Sequence, residues 1–291
     1  MPTKVEKDAL TGTETTGHEW DGIKELNNPL PRWWLYIFYA TIVFSAVWVV
    51  LYPSIPWLNG YFGGILGYQQ REVIEDQIAD ARQAQAQFLD AIAESDLTAL
   101  SEDPDLFQFA LTGGEAAYNN NCAPCHGLGG AGQANYPVLA DDVWLWGGSM
   151  EDIHHTLDVG VRWEENPDTR FSLMPAYGTL GIFDRDQIRD VANYVLTLSG
   201  QAAPDPEAAE RGAALYAEQC ALCHMDDGSG DRLQGSPALN DQLWLYGGEL
   251  EEIMAQISAP RHGVMPAWGG RLDPATLNML TLYVHSLGGG E

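Results

Sequence analysis

Cys122-Ala-Pro-Cys125-His126 is followed farther along the chain by Cys220-Ala-Leu-Cys223-His224, and these two pentapeptides contain all four cysteines of a 291-residue sequence. The spacing has a chemical meaning. Two cysteines three apart lie on one side of a helical turn, where both thiols reach the vinyl groups of a haem and the adjacent histidine falls beneath the iron. A zinc site assembled from the two CxxC pairs would use the same thiols but would leave both histidines unexplained. A thioredoxin-like redox pair belongs beside a βαβ pattern, and none is visible. Two covalently bound haem c groups are therefore expected, attached through Cys122, Cys125, Cys220 and Cys223, with His126 and His224 on the irons.

The surroundings of the motifs also repeat. Pro137-Val-Leu139 returns as Pro237-Ala-Leu239, Trp144-Leu-Trp-Gly-Gly148 as Trp244-Leu-Tyr-Gly-Gly248, and Met174-Pro-Ala-Tyr-Gly178 as Met265-Pro-Ala-Trp-Gly269. Each repeat closes on a helical pattern, Ile188, Val191, Val195 and Leu198 in one and Leu277, Leu280, Val284 and Leu287 in the other. The repetition ranks the candidates for the sixth iron ligand. Met174 and Met265 recur in kind and context, and each is expected to serve the haem of its own repeat. Met150 aligns with Leu250 and Met254 with His154, so both read as core, and Met225 abuts His224 and cannot swing to the opposite haem face. His154, His155, His262 and His285 have no histidine counterpart and read as surface or packing residues. Met/His ligation raises the reduction potential relative to two nitrogen ligands and leaves the iron no open position, which points to electron shuttling. The carbonyls of Pro137 and Pro237 are expected to accept the second ring N–H of each histidine. Trp144 and Trp244 are candidates to pack on the haem edge or donate to a propionate, and Arg162, Arg170 and Arg261 are candidates to pair with propionates.

Upstream of the repeats, Trp33 to Tyr52 runs uncharged for twenty residues with Trp33, Trp34, Trp48 and Tyr52 crowding its ends, the length and aromatic belt of a membrane span. A cleaved signal peptide would place the apolar run behind a short basic region and end it on small residues. Lys4, Lys7, Lys24 and Arg32 precede the span and the next basic residue is Arg71, so the tail is expected inside and the remainder outside. From Arg71 onward there are ten Arg, no Lys and 35 acidic residues, a net of -25 within a whole-chain charge of -27. Nucleic acid is excluded as a partner, because phosphate binding needs clustered basic residues. The expected class is all-α, one N-terminal transmembrane helix followed by two tandem cytochrome c domains. The expected divisions are a mostly unpacked cytoplasmic tail (1–31), the span (32–53), a juxtamembrane loop and spacer helices (54–105), and haem domains at 106–200 and 206–291. GQAAPDPEA reads as the linker between the haem domains.

The segment Asp21-Gly-Ile-Lys-Glu-Leu-Asn-Asn-Pro-Leu-Pro-Arg-Trp-Trp34, a single span ending near Leu-Tyr-Pro53, the GYFGGILGY stretch and both Met-Pro-Ala motifs together resemble the di-haem subunit (subunit III, CcoP/FixP-like) of cbb3-type cytochrome c oxidases. The resemblance covers almost the whole chain. It implies a bacterial inner-membrane protein with periplasmic haem domains, held beside a catalytic haem-copper subunit and a mono-haem subunit. Electrons would come from a donor cytochrome c or the bc1 complex and pass toward oxygen reduction in a proton-translocating complex. The isolated chain would have no catalytic residues of its own. Cys122, Cys125, His126, Met174, Cys220, Cys223, His224 and Met265 match the family's haem positions one by one. The alternatives are a free-standing di-haem carrier of the cytochrome c4 type, which the span and the Asp21–Trp34 segment disfavour, and a di-haem peroxidase, against which the paired methionines argue because its reactive iron needs an open position.

Overall fold

Asp21 and Gly22 both take positive φ, 47° and 85°, the geometry of a two-residue hairpin turn whose twist matches that of its strands. They join β1 (Thr15–Trp20) to β2 (Ile23–Leu26) as an antiparallel pair. Lys24 Nζ pairs with Glu6 at 2.6 Å, and the buried Thr15 hydroxyl accepts the Glu6 N–H. A small hairpin thus stands within a tail that reads from sequence as mostly unpacked. The computed structural model describes residues 4–291, so the first three residues of that tail lie outside the described residues.

Two units are distinguished by packing, residues 1–83 and 84–291. In the first, α1 (Arg32–Leu51) buries none of its side chains, and its twenty residues are long enough to cross the hydrocarbon of a bilayer at 1.5 Å per residue. Just after it, β3 (Pro56–Trp57) and β4 (Gly60–Tyr61) form a small hairpin. The following chain folds back on the helix end, Ile65 and Leu66 donating their N–H groups to the carbonyls of Val50 and Leu51. Helix α2 (Gln70–Glu94) begins in this unit and ends in the next.

The second unit continues with α3 (Leu97–Glu102), α4 (Pro104–Asn121), α5 (Ala123–His126), α6 (Met150–Val159), α7 (Arg185–Leu198), α8 (Pro206–Gln219), α9 (Ala221–His224), α10 (Leu250–Ser258) and α11 (Pro274–His285). Helices α4, α8 and α11 each start on an Asp-Pro pair, whose carboxylate accepts N–H bonds of the first turn while proline fills a position that needs no donor. Two of the three hydrophobic clusters among the described residues hold the first cysteines of the attachment motifs, and neither follows the sequence repeat. The first joins α4, α5 and α6 to α11 (Tyr118, Cys122, Ile153, Leu157, Leu277, Leu280, Val284). The second joins α8, α9 and α10 to α7 (Tyr216, Cys220, Ile253, Ile257, Val191, Val195, Leu196). The closing helix of each repeat thus packs in the other repeat's core. The divisions at 106–200 and 206–291 mark the repeat in sequence; in space the second core is inserted, as residues of roughly 172–258, between α6 and the Met265 segment of the first. The end of α2 and α3 pack in the third cluster against α4 and α11, where Ile92 and Leu100 are fully buried and Asn278 Nδ2 donates to the Ile92 carbonyl at 2.7 Å.

Candidate haem sites

Each CxxCH motif sits at the end of a helix that anchors it by a tyrosine. Tyr118 Oη donates to the Gly127 carbonyl at 2.9 Å, and Tyr216 Oη to the Met225 carbonyl at 2.8 Å. Cys122 and Cys220 are buried, and burial pushes each thiol up to about 11. His126 Nδ1 lies 3.1 Å from the Pro137 carbonyl and His224 Nδ1 3.0 Å from that of Pro237. A carbonyl only accepts, so Nδ1 carries the proton and Nε2 is left with its lone pair for a metal. Burial lowers both histidine pKa values, which favours the neutral ring a metal requires.

The residue after each histidine has positive φ, 74° at Gly127 and 63° at Met225. Glycine adopts this region freely and methionine does not. Met225→Gly is expected to stabilise the protein by about 0.5 kcal/mol, the relief of strain being partly offset by unfolded-state entropy. A thermal midpoint that does not rise would contradict this.

The two methionines are exchanged between the repeats. Met265 packs in the first core with Cys122, Ala123, Trp144 and Leu157, while Met174 packs in the second with Cys220, Trp244 and Ile257. This packing departs from the expectation that each methionine serves the haem of its own repeat. The glycine of each Met-Pro-Ala-aromatic-Gly motif explains how the segments dock. At Gly269 the chain lies against Asp158 at the end of α6, bonded by Trp268 N–H to the Leu157 carbonyl at 2.8 Å; at Gly178 it lies against Ser258 at the end of α10, bonded by Thr179 N–H to the Ser258 carbonyl at 3.1 Å. A Cβ at either glycine would collide with that helix end.

The arginines have protein partners. Arg170 stacks on Trp146 at 5.3 Å and pairs with Asp152 at 3.1 Å, and Arg261 stacks on Tyr246 at 4.6 Å. Arg162 donates to the carbonyls of Gly263 and Ser172. His262, read from sequence as a surface or packing residue, accepts the Met174 N–H on Nε2 at 3.0 Å. Nothing in the sequence signals this, because His262 has no histidine counterpart in the other repeat.

A haem fits what remains. Trp146 Nε1, Arg170 Nε and Trp244 Nε1 are buried with no partner among the described residues; such donors cost about 1–3 kcal/mol each if left unmet, and a propionate would supply the acceptor. Trp144, by contrast, donates to the Gly289 carbonyl. The zinc alternative has no support in the packing, since among the described residues no three His, Cys, Asp or Glu side chains converge and Cys122 and Cys220 lie in separate cores.

A membrane-anchored chain with two cytochrome c domains that bind c-type haem is the class this fold and these sites define. Residues 12–59 match the family model described as the N-terminal domain of cytochrome oxidase-cbb3, FixP, residues 111–199 that of cytochrome c, and residues 207–284 that of cytochrome C oxidase, cbb3-type, subunit III. Among relatives, the cbb3-type cytochrome c oxidase subunit CcoP of Azospirillum brasilense is 49% identical over 98% of this chain and 99% of its own length. CcoP of Cereibacter sphaeroides is 43% identical and FixP of Bradyrhizobium diazoefficiens 42% identical, each over 100% of both chains. The chain belongs to the CcoP/FixP family of cbb3-type cytochrome c oxidase subunits, the electron-transfer subunits of that oxidoreductase complex.

Proposed function

We propose that this chain carries two covalently bound haem c groups in a crossed arrangement. Cys122 and Cys125 would hold one together with His126 and Met265, and Cys220 and Cys223 would hold the other together with His224 and Met174. The observation that carries this reading is the sharing of one apolar core by the first cysteine of each motif, Cys122 or Cys220, and the methionine of the opposite repeat. Haem, when bound, supplies the one-electron couple. The chain's own residues set its working range. Pro137 and Pro237 orient the imidazoles, the two methionines would supply thioether ligands, and Trp146, Arg170 and Trp244 would donate to propionates.

In this role the chain takes electrons from a donor cytochrome c or the bc1 complex and passes them toward the catalytic haem-copper subunit, alongside the mono-haem subunit. The complex would be proton-translocating, in a bacterial inner membrane, with the N-terminus cytoplasmic and the haem domains periplasmic. The distribution of Lys4, Lys7, Lys24 and Arg32 supports this orientation. Protease added outside spheroplasts is expected to remove the haem domains and spare the hairpin before α1. Loss of the hairpin instead would reverse the topology.

The net charge of -25 from Arg71 onward favours a basic donor. Screening shortens electrostatic reach from roughly 30 Å at 0.01 M salt to about 8 Å at 0.15 M, so reduction by a basic cytochrome c in stopped flow is expected to slow steeply across that range. A rate indifferent to ionic strength would remove steering from the account.

A further inference from the structure

Arg162 lies where the chain crosses between the two cores. Its Nε donates to the Gly263 carbonyl at 2.6 Å and its Nη1 to the Ser172 carbonyl at 3.2 Å. These carbonyls occupy equivalent places, each two residues before a motif methionine. The backbone beside it is bonded to the same two segments. Val161 exchanges both N–H···O bonds with Met265 at 2.9 Å, and Arg162 N–H donates to the Arg170 carbonyl at 2.8 Å. Arg162 has φ of 52°, a left-handed conformation that a long side chain keeps only where its surroundings over-determine it. Among the described residues no carboxylate forms an ion pair with it, so its fork is committed to main-chain carbonyls. Arg170 and Arg261 differ, since each lies on the aromatic side chain at the same place in its repeat, Trp146 or Tyr246.

We infer that Arg162 is a positioning residue that fixes both methionine segments at once, tying the sixth-ligand geometry of one haem site to that of the other. The inference rests on the crossed ligation proposed above. A planar guanidinium holds two carbonyls at fixed separation; an ammonium does not.

The test uses the full-length haem-loaded chain in detergent, with Arg162→Ala and Arg162→Lys, and reads the far-red methionine-to-iron absorption and midpoint potential of each haem. At unchanged covalent haem content, the Ala variant is expected to weaken that absorption and lower the potential at both sites, and the Lys variant at one site or both. A response at one site only in the Ala variant, or at neither, overturns the inference. If the Ala variant fails to hold its haems, the Lys variant decides alone: wild-type spectra and potentials at both sites overturn the clamp. Met174→His and Met265→His measured alongside separate the two claims. If they shift the crossed haems while Arg162 variants shift neither, ligation stands and the clamp fails; if each shifts the haem of its own repeat, the crossed reading itself fails.

Discussion

In a chain whose second attachment motif has been removed by Cys220→Ser and Cys223→Ser, Met265→His is expected to lower the potential of the remaining haem, while Met174→His leaves it unchanged. Removing Cys122 and Cys125 instead should reverse the pattern. The expectation follows from which side chains share a core: Met265 packs with Cys122, and Met174 with Cys220. Replacing a thioether by an imidazole stabilises the oxidised iron, and a shift on the order of 100 mV is a modest part of the roughly 0.8 V that axial ligation spans. Both substitutions are compared in one background, so any loosening of the core that lacks its haem affects them alike. A fall in potential caused by Met174→His in the chain that retains only Cys122 and Cys125 would restore ligation within each repeat.

The attachment motifs and the methionines were legible because each residue type answers a fixed chemical need and does so twice. The crossing was hidden by the same repetition. Helix α7 could meet α4 or α8 equally well by composition, since Gly114 and Tyr118 in one have their counterparts Gly212 and Tyr216 in the other. The telling feature was the connection at residues 199–205, which is short enough to make α7 and α8 antiparallel neighbours. Asn193 stiffens it by accepting the Asp205 N–H at 3.0 Å, and Arg211 forks onto Asp190 with two bonds of 2.8 Å. In the tail, Asp21-Gly22 between two short runs was a hairpin signal by its own chemistry, obscured by the polar residues around it. Trp146 had a Tyr counterpart and so did not stand out as a buried donor, although it is one of the unpartnered groups that a propionate would satisfy.

Gly212→Ala is expected to cost about 3 kcal/mol or more, the upper range for inserting atoms into a close-packed interior. A Cβ at Gly212 would fall on the main-chain carbonyl of Asp190, where no side chain can swing aside, so α7 and α8 would have to separate and draw Val191 away from Tyr216. Gly114→Ala should behave alike in the first core, its Cβ meeting the Met279 carbonyl and Tyr283 Cβ. The adjacent Gly113 supplies the control. Its Cβ would meet the sulfur of Met279 at 2.5 Å, a flexible side chain that can move, and replacing glycine inside a helix by alanine returns up to about 1 kcal/mol of propensity. Thermal melts of the three variants with full haem content should therefore place Gly113→Ala close to the parent and the other two well below it. Haem absorption should also report which site loosens first: the haem at Cys220 and Cys223 for Gly212→Ala, and the haem at Cys122 and Cys125 for Gly114→Ala. Equal melting of all three would mean that α4 and α11, and α7 and α8, do not meet through these glycines, and the exchanged packing of the two repeats would lose its closest contacts.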